Sequence, residues 1–190
     1  MKIEVRADGA HISGYVNVTG KASRPVITPH GKCIEIIEER AFADALERAG
    51  NLNVTVDHGS KVYAQTSDGT AKLHEDSIGL RADDVLITDP ELVEAARQRK
   101  IRGWSFGMKN VTDEMESRAD GLPIRHIKKL DLDHLTLVIR KTPCYAATSV
   151  EVRADGEETL ETRAFTDGEP DLTEIGTVDY SDYERRIAAL

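Results

Sequence analysis

The chain has 190 residues, 39% of them hydrophobic and 5% aromatic, with a formal net charge of −9. That length suits one domain with a short appendage and excludes two full domains; no apolar stretch is long enough for a transmembrane helix, and Met1-Lys2-Ile3-Glu4-Val5-Arg6 lacks the apolar core of an export signal. Residues 155–190 carry eleven acids against three arginines, a net of −8, so residues 1–154 hold about −1 and offer no concentrated basic surface for nucleic acid.

Residues 2–6 and 11–18 alternate like two strands around a turn at Asp8-Gly9. Residues 20–32, with Gly20, Pro25, Pro29 and Gly31, read as a loop, and Cys33 to Ile37 as a third strand. Phe42, Ala45, Leu46 and Ala49 fall at helical spacing within Glu39 to Ala49, and Gly50 follows as a stop. Residues 52–56 alternate again and run into Asp57-His58-Gly59. Further strands are expected near 61–66, 69–74 and 79–86, with turns at Asp68-Gly69 and around Ser77.

Asp89-Pro90-Glu91 is a strong helix start, with a capping Asp, Pro at the first position and an acid in the first turn. That helix would bury Leu92, Val93 and Ala96 and end near Lys100. Gly103 to Met108 alternates into a strand, 112–122 reads as a loop or lid, and 124–130, 132–139 and 150–152 read as the last strands. Many strands with two helices predict a mainly β, α+β fold: a closed or nearly closed β-barrel decorated by helices. The expected division is a folded domain over 1–154 and an acidic, disordered tail over 155–190. Glu-Val-Arg-Ala-Asp-Gly occurs at 4–9 and again at 151–156, which fits a strand and Asp-Gly turn used twice; the sharper alternative is a self-processing sequence at each end of the folded domain.

Two cysteines, Cys33 and Cys144, are too few for a disulfide framework and are expected reduced. They lack the paired spacing of a zinc site, and His11, His30, His74 and His126 are scattered without it. No glycine-rich phosphate loop is present, so no metal or cofactor is expected.

A serine hydroxyl becomes a nucleophile only when a base takes its proton and a third group holds that base in the right tautomer. Ser105 sits in Gly103-Trp104-Ser105-Phe106-Gly107, where flanking glycines would let a substrate backbone approach. The pattern matches the nucleophile elbow of α/β-hydrolases, but the setting does not. That elbow needs a helix after the serine and the order Ser, acid, His, whereas strand-like sequence follows Ser105 and the last histidine lies only 29 residues on. A structural turn serine is the plain alternative. His58 ends a strand in Val56-Asp57-His58-Gly59, where an imidazole is accessible; it equally fits a surface histidine. His134 lies in the apolar run Leu132-Asp133-His134-Leu135, where a core histidine is the plain alternative. Asp133 beside it would face the other side of a regular strand, since side chains alternate.

Taken in order, Glu35-Ile36-Ile37-Glu38-Glu39-Arg40-Ala41-Phe42, Val56-Asp57-His58, Gly79-Leu80, Trp104-Ser105-Phe106-Gly107 and Leu135-Thr136-Leu137-Val138 with Pro143 resemble the tailed-phage prohead proteases over roughly residues 1–154. That family is similar in fold to the herpesvirus capsid-maturation proteases, the assemblins, whose triad is ordered His, Ser, His. The resemblance implies a serine endopeptidase that cleaves capsid protein, scaffold and itself inside the immature shell in the host cytoplasm. Ser105 would be its nucleophile and His58 its base. Many prohead proteases carry a glutamate where this chain has His134, so His134 would take the orienting place, with Asp133 the alternative.

Arg140 and Lys141 stand where assemblins place oxyanion donors, although solvated charges at a strand end fit them equally. The resemblance also implies a homo-oligomer, a dimer by analogy. Beside the plain reading of the tail as a disordered solvated segment stand two functional ones, that it docks on capsid or scaffold or that it is removed by self-cleavage, with Arg153-Ala154 and Arg163-Ala164 near the boundary. A non-catalytic assembly protein retaining the protease fold is the competing expectation.

Overall fold

The protein, a computed structural model, is described over residues 1–28, 31–143, 150–152 and 161–166, and its side-chain contacts through Arg140. His30, Cys144, Arg153-Ala154, most of the second Glu-Val-Arg-Ala-Asp-Gly copy and most of the acidic segment from 155 lie outside the described residues.

The elements run β1 (Lys2–Arg6), β2 (Gly9–Val18), β3 (Val26–Thr28), β4 (Gly31–Ile37), α1 (Ala41–Arg48), β5 (Asn53–Val56), β6 (Ala64–Gln65), β7 (Ala71–Glu75), β8 (Gly79–Ile87), α2 (Pro90–Arg97), β9 (Gly103–Glu116), β10 (Ile124–Val138), β11 (Lys141–Pro143), β12 (Val150–Val152) and β13 (Glu161–Thr166). Helix α2 starts as its sequence demands: the Asp89 side chain accepts from the Leu92 N–H at 3.0 Å, and Pro90 occupies the first turn. Helix α1 has no cap of its own, because Arg40 takes a left-handed backbone without a capping side-chain bond. Glu75 of β7 caps it instead, accepting from the N–H groups of Arg40 at 3.1 Å and Ala43 at 2.6 Å.

The strands form two sheets. One is antiparallel in the order β1-β2-β8-β7; the other is mixed, in the order β11-β13-β9-β10-β4-β3, with β12 on β13 and β5, then β6, on β10. Strand β10 organises the second sheet. Along one side it pairs antiparallel with β9 from Ile124 to Val138. Its other side is shared by two parallel partners: β4 against Ile124–Ile127 and β5 against His134–Leu137. The core lies over this strand pair, where Trp104, Phe106, Leu135 and Leu137 are buried. Phe42 of α1 meets Phe106 edge to face, with ring centroids 5.4 Å apart.

The expected barrel is not found. Among the described residues the fold is mainly β with two helices, in one antiparallel and one mixed sheet, and neither sheet closes on itself; a herpesvirus-protease-like barrel is therefore not supported. Closure needs every strand paired on both sides at a steady stagger. Here β10 spends one side on two separate parallel strands, and the first sheet ends openly at β1 and β7. Alternation in sequence reveals strands but not their partners.

Three local expectations also change. Residues 26–28, within the expected loop, pair with β4 as β3. The expected lid at 112–122 shrinks, because β9 continues to Glu116 and forms a long hairpin with β10. The two strands expected at 124–130 and 132–139 are one, interrupted in register at Ile127/Lys129, Lys129/Asp131 and Leu132/His134.

Candidate active site

Strand register sets the floor of the site. Ser105 pairs with Thr136, and Gly107 with His134, across the β9–β10 ladder. Directly opposed residues of an antiparallel pair share a face, as do residues two apart on one strand, so Ser105 and His134 project to the same side. His58 arrives from the turn after β5, whose parallel pairing with β10 ends at Val56 and Leu137.

That turn is held by specific bonds. Asp57 and His58 both adopt left-handed backbones, φ 48° and 57°, which non-glycine residues rarely do in succession. The Asp57 carboxylate accepts from the N–H groups of Ile139 at 2.9 Å and Arg140 at 3.2 Å, tying the turn to the end of β10. The His58 N–H donates to Thr136 Oγ1 at 3.1 Å, and the Gly59 N–H to the Val56 carbonyl at 2.8 Å. Each unusual dihedral costs on the order of 1 kcal/mol, offset by these bonds.

The result is a line of side chains. His58 Nε2 lies 3.0 Å from Ser105 Oγ, and His58 Nδ1 lies 2.8 Å from His134 Nε2. His134 Nδ1 in turn lies 2.8 Å from Asp133 Oδ2. The two rings meet edge to face at 79°, and Ser105 is fully buried. The hydrogen bond from His134 pulls the Asp133 carboxyl below its ordinary range, and Lys109, 3.8 Å from its other oxygen, adds to this.

Residues 58, 105 and 134 are thus brought together. Asp133 does not turn away as a regular strand would require. The ladder steps from Leu132↔Met108 to His134↔Gly107, leaving Asp133 as the extra residue of a bulge, beside its neighbour's ring. The phase of the buried leucines, Leu130 and Leu132 and then Leu135 and Leu137, carries that signal in the sequence. A Cβ at Gly107 would fall 2.5 Å from His134 Cε1, so the glycine makes room for the ring. Gly103, buried at the start of β9, pairs with Val138.

Arg140 is exposed and joins the site through its backbone N–H, which is committed to Asp57. Lys141 begins β11, and its side chain lies outside the described contacts. The remaining described histidines are held by carboxylates elsewhere: His11 by Asp84, His74 by Asp83 and His126 by Glu38. Asp57 and Thr136 went unnoticed in sequence, since a turn aspartate and a strand threonine carry no distinguishing pattern.

Such a line can move a proton from a hydroxyl to an imidazole and share the resulting charge with a second imidazole and a carboxylate. The family model described as caudovirus prohead serine protease matches residues 1–163. No curated protein and no solved structure matches the chain.

Proposed function

Because this chain belongs to the caudovirus prohead serine protease family, and so is a serine protease acting on peptide bonds in phage capsid maturation, we propose that Ser105 is its nucleophile, His58 its general base and His134 the group that orients His58. The observation that carries this reading is the pair of contacts on one imidazole, 3.0 Å to Ser105 Oγ and 2.8 Å to His134 Nε2.

In this mechanism Ser105 Oγ attacks the scissile carbonyl carbon while His58 Nε2 takes the hydroxyl proton. The tetrahedral oxyanion collapses, the peptide C–N bond breaks, and His58 returns the proton to the leaving amine. Water then repeats the sequence on the acyl-enzyme, with the proton again passing through His58. The Arg140 guanidinium and Lys141 are the proposed oxyanion donors, since the Arg140 N–H is already bound to Asp57. A donor in such a place is worth about 3–4 kcal/mol in the transition state.

The substrates are capsid protein and scaffold within the procapsid, and the chain's own C-terminal segment. Self-cleavage is supported by the position of β13, which follows the proposed 1–154 protease domain in the chain and pairs antiparallel with β9 at Met108 and Gly107, two residues from Ser105. Substrate strands commonly add to such an edge through backbone hydrogen bonds.

The test is co-expression of the full chain with the capsid and scaffold proteins of its phage, wild type against Ser105→Ala. The wild type should yield shortened capsid protein and a shortened protease, and the variant neither. Processing that continues in the variant overturns the assignment of Ser105.

A further inference from the structure

Ser105, His58 and His134 leave one requirement unmet among themselves: something must decide which nitrogen of His134 carries its proton. If His58 Nε2 is to accept from Ser105, the His58 proton sits on Nδ1 and points at His134 Nε2. His134 Nε2 must then be bare, and its proton must sit on Nδ1. The opposite tautomer of His134 would aim an N–H at His58 Nδ1, drive the His58 proton to Nε2, and leave Ser105 facing a donor instead of a base.

We propose that Asp133 is a positioning residue of this site: its Oδ2, 2.8 Å from His134 Nδ1, holds His134 in the Nδ1–H form and, through it, His58 in the form that can deprotonate Ser105. The inference rests on the Ser105–His58–His134 reading and extends it by one member. Asp133 is acceptor-only when ionised, so its contact with Nδ1 is satisfied by one tautomer alone. The bulge between Leu132 and His134 places the carboxylate beside the ring of the next residue. Lys109 lies 3.8 Å from the other carboxylate oxygen, Oδ1, while Oδ2 faces the ring.

The same contact supplies what a histidine in the orienting place lacks. A neutral imidazole stabilises a neighbouring imidazolium weakly, whereas an imidazole hydrogen-bonded to a carboxylate spreads that charge onto an anion. The carboxylate found directly on the base in many serine proteases stands here one ring further out.

Asp133→Asn is the informative variant. With Lys109 beside Oδ1, the new amide oxygen turns to the ammonium and its NH2 to His134 Nδ1, which enforces the wrong tautomer. Two readouts on the full chain test this. The first is the imidazole nitrogen shifts of the 15N-histidine-labelled protein, assigned with His58→Gln and His134→Gln. The second is the rate at which a fluorophosphonate labels Ser105.

The wild type should show His58 and His134 as Nδ1–H tautomers. Asp133→Asn should move His134 to Nε2–H and slow labelling roughly 10- to 100-fold, less than the about 10⁴-fold seen when a carboxylate directly on the base is replaced by its amide. A wild-type His134 protonated at Nε2 overturns the inference, whatever the variant does. So does a variant that labels at Ser105 as fast as the wild type, and that outcome leaves the triad standing. A wild-type chain that labels at another serine, or at none, removes the triad reading and Asp133 with it.

Discussion

Gly107 and His134 face each other across the β9–β10 ladder, and a methyl group on Gly107 would lie 2.5 Å from Cε1 and 2.8 Å from Nδ1 of the His134 ring. That ring is bonded at both nitrogens, to His58 and to Asp133, so it cannot move aside without breaking one contact. Gly107→Ala should therefore cut fluorophosphonate labelling at least about 10-fold, with the about 1–3 kcal/mol of destabilisation that overpacking brings. Thermal melting together with a labelling time course checks both parts. Labelling at the wild-type rate would show that the ring's position does not matter.

Asp57 holds the His58 turn to the end of β10 through the N–H groups of Ile139 and Arg140. Asp57→Ala removes both acceptors and puts alanine into a left-handed backbone that aspartate tolerates better. A loss of about 1–3 kcal/mol in urea unfolding is expected, with slower labelling of Ser105. Asp57→Asn keeps one oxygen acceptor and the backbone tolerance, and should lose less of both.

Arg125 bonds Glu35 at 2.9 Å and also Asp113, with 3% of its side chain exposed and none of the Glu35 side chain. The group joins β4, β9 and β10 beneath the half of the sheet remote from Ser105. Arg125→Ala removes the guanidinium that both carboxylates bond and should destabilise the fold by about 3–5 kcal/mol, read in denaturant unfolding. Replacing Arg125, Glu35 and Asp113 together by apolar residues of similar volume should cost less than the single change. A single variant as stable as the wild type contradicts this reading.

His126 lies between Glu38 and Glu116, and hydrogen bonds to them, Glu38 first, raise its pKa above the ordinary 6.5. A raised folded value means stability that is fully present below about pH 6.5 and lost as the pH rises through the folded value. With partly exposed partners the effect is about 1 kcal/mol or less. His126→Gln should melt below the wild type at pH 5.5 and level with it at pH 8.5. An equal difference at both values would remove the charge argument.

Most of the strands and both described helices are legible in the sequence, and the reasons are local. Alternation marks β1, β2, β5 and β8, and Asp89-Pro90 marks α2, because pleat and cap are set by neighbouring residues. His58 at a strand end and Ser105 between glycines stand out by residue type and place. What stayed hidden depends on pairing. The open mixed sheet follows from β10 taking two parallel partners, a matter of contacts far apart in the chain. His134 and Asp133 stand as alternatives in the sequence because a regular strand turns them to opposite sides, and the bulge that brings both to one place is a property of the ladder with β9. That Gly107 makes room for the His134 ring is equally a matter of pairing, since only the β9–β10 ladder sets the two opposite each other.

The central claim is that one imidazole draws the proton from the Ser105 hydroxyl, and site-mapped fluorophosphonate labelling of the full chain measures it most directly. The account predicts a single adduct on Ser105, absent in Ser105→Ala and slowed at least about 10²-fold in His58→Ala. An adduct on another serine, or labelling of Ser105 at an unchanged rate without His58, would contradict it.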